Sequence, residues 1–287
     1  MPRPLAPPLR EPPLPLRRAR VALTYLWQHR RAPNLSQPTR FTELVQLRKL
    51  NDRDPRLPRL ADKLLAKPHV AAKLDPSWIT PTLWSGNLLP ERPPVRPPFV
   101  LKSRHGCNQI AFVQSDDDWP PARARAAHWL APYGKWLDEW LYAEITPGYL
   151  IEPMLADPGR LPVDYKLFAF GGRVTHIQVH LGRPARHRWH VRDRHWRPLT
   201  SAAEPVPPPP QLPAMIAAAE TLAAGFAFVR VDLYALPSGP RFGELTFYPG
   251  SGLLPIDPPG LDKTWGSLWL DALAMPASAP ALVPVAA

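Results

Sequence analysis

Apolar and polar positions follow two rhythms, and the change falls at a run of prolines. Before that run the spacing is helical. Residues 21–31 predict one helix, ended ahead of Pro33. Phe41, Leu44, Val45, Leu47 and Leu50 form an apolar stripe that predicts a second over residues 41–51, with Thr42 as its cap. Residues 60–74 predict a third, dented at Pro68. Prolines 90, 93, 94, 97 and 98 mark a linker, and beyond it short β-rich runs dominate. Residues 99–102 and 110–113 flank a polar loop, 103–109, and predict a hairpin. A helix is expected over 123–130 and a strand over 149–152. Residues 165–170 and 174–181 enclose Gly171-Gly172, the signature of a tight hairpin turn. After the proline run 207–210, residues 213–224 read as an alanine-rich helix closed by Gly225. Residues 229–234 and 241–247 make a third hairpin. Helices and antiparallel hairpins in separate runs place the fold in the α+β class.

Composition narrows this picture. Of 287 residues, 45% are apolar or aromatic, enough for a sizeable core. The 43 prolines and the excess of arginine over lysine read as coding bias. The net charge of +11 is uneven, because residues 1–40 hold eight arginines and a single acid, Glu11. A uniformly basic nucleic-acid-binding surface is therefore excluded. Residues 1–20 read as a mobile Pro/Arg arm that can steer the protein to an acidic partner or a membrane surface, so peripheral association stays open. One cysteine, Cys107, excludes an internal disulfide framework. No run of 18 apolar residues exists, so no transmembrane segment is expected, and prolines spoil the N-terminus as a signal peptide. The expected location is cytoplasmic. Residues 276–287 read as a frayed tail.

The third hairpin carries the sharpest chemistry. With a turn centred on Ser238, Asp232 lies opposite Glu244, and Arg230 and Thr246 share their face. Two carboxylates about 5 Å apart repel unless a cation or proton lies between them. One reading is a magnesium–phosphate site, since hard divalent ions take oxygen ligands. The other is a solvated face on which Arg230 merely bridges two acids. Lys102, at a strand end before His105-Gly106, can hold a phosphate as a point charge or simply reach for water. Asp164 and Lys166 open a strand on one face. The stretch 173–197, with seven arginines, five histidines and Asp193, reads either as an anion-binding face or as a solvated hairpin. Its histidines lack a companion set for zinc, and Cys107 lacks catalytic company.

In order along the chain, these pieces resemble the ATP-grasp superfamily, specifically its TupA-like, teichuronopeptide-biosynthesis branch. The matching stretches are Ala61-Asp62-Lys63, Phe99-Val100-Leu101-Lys102 with His105-Gly106, and Leu150-Ile151-Glu152-Pro153-Met154-Leu155. They continue with Leu161-Pro162-Val163-Asp164-Tyr165-Lys166, Ile177-Gln178-Val179, and Asp193 with Trp196. The most specific are Phe228-Val229-Arg230-Val231-Asp232-Leu233-Tyr234 and Gly243-Glu244-Leu245-Thr246-Phe247-Tyr248-Pro249-Gly250-Ser251-Gly252.

The resemblance implies an ATP-grasp fold, two α+β lobes clasping a nucleotide cleft, with ATP and Mg2+ as cofactors. Residues 1–40, the Pro/Arg arm, fall outside the resemblance; the expected division of the rest is a helical N-terminal region over 41–98, a small lobe over 99–155 and a large lobe over 156–275. Lys63 and Lys102 look like the phosphate-side lysines, and Lys166 joins them at the nucleotide. His105 and Gly106 open the phosphate-covering loop, which holds fewer glycines here than is usual. Glu152 resembles the hinge acid at the adenine edge, with the Met154 backbone facing the purine, and Asp164 the ribose-binding acid. Asp232 and Glu244 look like magnesium ligands, with Thr246 where many relatives place an asparagine. Arg230 resembles the arginine that steadies the acyl-phosphate. The implied function is a carboxylate–amine ligase, with a uronic-acid glycan precursor and an amino acid as substrates. A phosphotransferase on the same fold, or a non-catalytic module holding an anionic glycan, are the alternatives.

Overall fold

The computed structural model describes residues 11–131, 134–155, 161–182, 187–199 and 205–275. The expected tail, 276–287, lies outside them. Helices α1 (Leu14–His29), α2 (Phe41–Asn51), α3 (Arg56–Ala61) and α4 (Ala66–Lys73) come first. Strands β1 (Trp84–Gly86), β2 (Phe99–Ser103) and β3 (Ile110–Val113), helices α5 (Trp119–Ala126) and α6 (Trp140–Ala143), and strand β4 (Tyr149–Pro153) follow. The remainder is β5 (Asp164–Phe170), β6 (Arg173–Leu181), β7 (Arg188–Asp193), α7 (Leu212–Ala223), β8 (Phe228–Leu236), β9 (Gly239–Thr246) and α8 (Leu261–Ala274). Two antiparallel sheets result, ordered β1-β4-β2-β3 and β7-β6-β5-β8-β9. All three expected hairpins are present.

The N-terminal reading needs correction. α1 begins at Leu14, because Pro15 sits in the first turn, where a missing N–H costs nothing. Arg17 is buried: it donates to Asp138 at 3.3 Å, Glu11 at 2.7 Å and the Lys49 carbonyl at 2.9 Å. Residues 14–20 are thus part of the fold and not a mobile arm. Arg17→Ala should cost roughly 2–3 kcal/mol, visible as a lower urea midpoint. The cost stays moderate because Arg20 still holds Asp138 at 2.7 Å.

Two further helical expectations change. Thr42 does not cap α2; it lies in the first turn and donates to Asp262 of α8. The Glu43 carboxylate accepts the Thr39 and Arg40 N–H groups instead. The third expected helix splits at Asp62, whose Oδ1 accepts the N–H groups of Leu64 and Leu65. That break puts Lys63 on a loop and Lys67 in the first turn of α4, where Pro68 is tolerated.

One face of the larger sheet is divided. Phe168, Phe170 and Phe228 pack against Phe41 of α2 and against Trp265 and Trp269 of α8. Beyond Phe168 the same face turns polar, because alternate residues Lys166 and Asp164 follow it on β5. α7 packs on the opposite face. In the smaller sheet, Phe99, Leu101, Ala111, Val113, Tyr149 and Ile151 join Trp119 of α5 in a separate core. Lys102 and Glu152 lie on the face away from that core.

The β8–β9 register depends on a bulge. The turn proper is Pro237-Ser238, between Leu236 and Gly239. Leu233 pairs with Phe242 but Asp232 with Glu244, so Gly243 is an extra residue. A Cβ on Gly243 would stand 3.0 Å from the Asp232 carbonyl oxygen, which is why the bulge takes glycine.

His176 of β6 packs edge-on to Trp265, and burial lowers its pKa from 6.5 to about 4 against the opposing pull of Asp193. The unfolded chain binds this proton below about pH 6.5 and the folded chain only near pH 4. Its contribution to stability is therefore lost as pH falls through that window. His176→Gln should remove roughly 1–2 kcal/mol of that acid sensitivity, after allowance for solvent at the ring. Melting temperature against pH for both proteins measures it.

Candidate active site

The polar half of the larger sheet holds one connected row. Register sets it: Lys166, Asp232 and Glu244 align across β5, β8 and β9, and Arg230 pairs with Thr246 one step along. Lys166 Nζ lies 2.9 Å from Asp164 Oδ2 and 2.5 Å from Asp232 Oδ2. Arg230 clamps Asp232 in two-point fashion, Nε to Oδ1 at 2.6 Å and Nη2 to Oδ2 at 2.7 Å. Nη2 also donates to Thr246 Oγ1 at 3.0 Å, and that hydroxyl donates to Glu244 Oε1 at 3.1 Å.

Arg230 and Asp232 are buried, so the row is not a solvated ion-pair face. Burial alone would raise the Asp232 carboxyl. Arg230 and Lys166 outweigh it and hold the group below its ordinary range. Arg230 is pushed upward for the reciprocal reason, its burial being outweighed by Asp232. Glu244 keeps about a third of its side chain exposed.

A second charged group projects from the smaller sheet. Glu152 lies between two ammonium groups, Lys102 at 2.6 Å and Lys67 at 2.5 Å. Burial would raise its carboxyl, but the two lysines hold it low. Lys67 is fixed further by the Thr80 carbonyl at 2.7 Å and Thr82 Oγ1 at 2.6 Å. Lys63 joins the two groups. Its Nζ donates to the Gly106 carbonyl at 2.6 Å and stands 4.0 Å from Glu244 Oε2. Tyr234 marks the same convergence: burial, then Asp164, Glu244, Asp232 and Glu152, raise its hydroxyl well above the ordinary value. Five cations and four carboxylates from both sheets, the Lys63 loop and the first turn of α4 thus meet in one cleft.

Not every expected residue points inward. The His105 ring is buried, with Nε2 3.4 Å from the Ala131 carbonyl, and burial lowers its pKa. Gly106 presents its carbonyl to Lys63 while its N–H donates to Ser103 Oγ at 3.0 Å. Met154 follows β4 and is half-buried. Lys67 was not anticipated, although it lies one helical turn beyond Lys63. The Asp62–Arg104 ion pair, at 2.5 Å, was also missed; it pins the Lys63 loop to the end of β2. A pocket of about 590 Å³ among Arg59, Asp62, Leu65, Arg104, Trp140 and Glu144 lies outside the cleft.

The donor set decides what metal the row can take. Among the described residues, no three His, Cys, Asp or Glu side chains cluster as a metal cage. Asp232, Glu244 and Thr246 offer oxygen alone. That suits magnesium, which binds through one or two carboxylates and completes its shell with phosphate and water.

The TupA-like ATP-grasp family model matches residues 43–270. The chain belongs to the TupA-like ATP-grasp family. ATP and magnesium are the cofactors of the ATP-grasp fold. Among solved structures, the chain is similar to the ATP-grasp ligase PsnB with a phosphomimetic variant of minimal precursor, Mg and ADP. That match has 13% identity, a TM-score of 0.40, and coverage of 79% of this chain and 65% of that one. It is similar to D-alanine-D-alanine ligase from Helicobacter pylori, at 15% identity, TM-score 0.42, and coverage of 77% and 60%. It is also similar to the Bacillus anthracis D-alanine–D-alanine ligase complexed with ATP, at 14% identity, TM-score 0.43, and coverage of 74% and 65%. The TupA-like chain thus spans under two thirds of each of those chains. No curated protein matches it.

Proposed function

We propose that this TupA-like ATP-grasp protein uses ATP to activate a carboxylate and joins it to an amine. The observation that carries this reading is the buried Lys166–Asp232–Arg230–Thr246–Glu244 row meeting Lys102, Lys67 and Glu152 across one cleft, with Lys63 between them. Lys63, Lys102 and Lys166 hold the ATP phosphates, releasing their present carboxylate and carbonyl partners to do so. Glu152 and the Met154 backbone take the adenine edge, and Asp164 takes the ribose. Asp232, Glu244 and Thr246 hold magnesium, which when bound neutralises phosphate charge that would repel an anionic nucleophile.

The substrate carboxylate oxygen attacks the γ-phosphorus. The bond from that phosphorus to the β-phosphate oxygen breaks, ADP leaves, and an acyl-phosphate remains. The amine nitrogen then attacks the acyl carbon, loses a proton, and inorganic phosphate departs as the amide forms. Arg230 spends Nε and Nη2 on Asp232 and Thr246. Nη1 makes no hydrogen bond to the described residues, so it is the donor that stabilises the tetrahedral oxyanion. A uronic acid on an envelope glycan precursor is the proposed carboxylate, and an amino acid the proposed amine, in polysaccharide biosynthesis.

ATP turnover with pairs of amino acids and uronic-acid-containing acceptors tests this, with ADP and inorganic phosphate both measured. Equal amounts of the two, formed only when both substrates are present, are expected. ADP without inorganic phosphate, accompanied by a phosphorylated acceptor, would replace the ligase with a phosphotransferase.

A further inference from the structure

One side of α1 is built into the fold and the other is apolar where solvent reaches it. Arg17, Val21 and Tyr25 point inward and are buried. On the opposite side Leu16, Leu23 and Trp27 recur at helical spacing, 58%, 67% and 66% exposed, and Leu26 widens the stripe. Trp136, 80% exposed, stands to one side of α1, where it and Leu137 border a small crevice with Val21 and Thr24. Single exposed apolar residues are ordinary, but four large ones along one side of a helix, Leu16, Leu23, Leu26 and Trp27, mark a contact surface.

The charge around that stripe has one sign. No acid occurs between Glu11 and Glu43, whereas Arg17, Arg18, Arg20, Arg30, Arg31 and Arg40 all lie there. Asp138 occupies Arg17 and Arg20, and Asp262 occupies Arg31. Arg30, at the end of the helix, is exposed and forms no ion pair among the described residues, whereas Arg18 lies on the far side of the helix from the stripe. A second copy of the chain is a poor occupant, because a two-fold contact would set this acid-free face against itself. An anionic lipid surface supplies the missing charge. Leucine and tryptophan along one side, with a free arginine at the helix end, suit a helix lying in a membrane interface. No described helix is long and apolar enough to cross a membrane, so the contact is with its surface.

We infer that α1 docks this protein on an anionic lipid surface, with Leu16, Leu23 and Trp27 in the headgroup boundary and Arg30 on the lipid phosphates. The docked helix is tied to the segment that follows the row. His29 Nε2 lies 3.1 Å from the carbonyl of Gly252, in the turn that follows Thr246 and the end of β9. A substrate carried in the lipid would thereby reach the Arg230–Thr246 end of the row. That consequence rests on the ligase reading; the docking does not.

Flotation of the full chain with vesicles, without nucleotide, tests the docking. Vesicles of phosphatidylcholine alone are compared with vesicles of phosphatidylcholine and phosphatidylglycerol in equal amounts. Wild type should float with the anionic vesicles at least about tenfold more than with the neutral ones. The double variant Leu23→Ser/Trp27→Ser should lose about tenfold of that binding, and Arg30→Gln about fivefold. All three side chains are exposed, so melting temperature should not change. Wild type that stays unbound, or a Leu23→Ser/Trp27→Ser variant that floats like wild type, would overturn the inference. So would a dimer in sedimentation equilibrium that the same variant dissolves while wild type ignores vesicles. A protein without ADP release that still floats would sink the ligase and leave the docking standing.

Discussion

Asp232→Asn and Glu244→Gln should each lower magnesium-dependent ADP release by about a thousandfold or more, because each removes a charged ligand from the ion. The two variants should differ in stability. Asp232 is buried between Arg230 and Lys166. Neutralising it leaves two cations without their shared counter-charge and should cost about 3 kcal/mol. Glu244 is partly exposed and 3.6 Å from Arg230, so its loss should cost under about 1 kcal/mol. Melting temperatures and ADP release, with and without Mg-ATP, separate the effects. Glu244→Gln is the cleaner test, since it should fold like wild type and yet be nearly inactive.

The second large effect is expected at Arg230. Arg230→Lys keeps a buried positive charge beside Asp232, so the protein should fold. A lysine cannot grip both carboxylate oxygens and also reach Thr246 and an oxyanion. The turnover number should fall by about a hundredfold to a thousandfold, while the KM for ATP stays within about threefold. A large rise in that KM at an unchanged turnover number would move Arg230 from the reacting carbonyl to the nucleotide.

Local rules carried much of the fold. Period-two alternation and turn glycines placed β5, β6, β8 and β9, and with them the facing of Asp232 and Glu244. That facing was right because two offsets cancelled: the turn lies half a residue earlier than expected, and the Gly243 bulge restores the register. What local pattern missed depends on distant partners. The start of α1 was hidden because Arg17 looks like a solvated charge until Asp138 is seen beside it. Lys67 carries no local signal, since only folding brings it to Glu152. β1 and β7 are short edge strands with little alternation, and α8 was overlooked although its tryptophans close the aromatic core. His105, at the start of the loop after β2, has a buried ring whose Nε2 lies 3.4 Å from the Ala131 carbonyl, a contact that sequence spacing does not show.

The central claim is that ATP activates a carboxylate in this cleft. Oxygen-18 placed in the carboxylate of whichever acceptor stimulates ADP release tests it most directly. Attack of that oxygen on the γ-phosphorus, followed by displacement with an amine, carries one labelled oxygen into each inorganic phosphate. Mass analysis of the phosphate should show one oxygen-18 for each ADP formed from fully labelled acceptor. Unlabelled phosphate, with both labelled oxygens retained on the acceptor, would contradict the account.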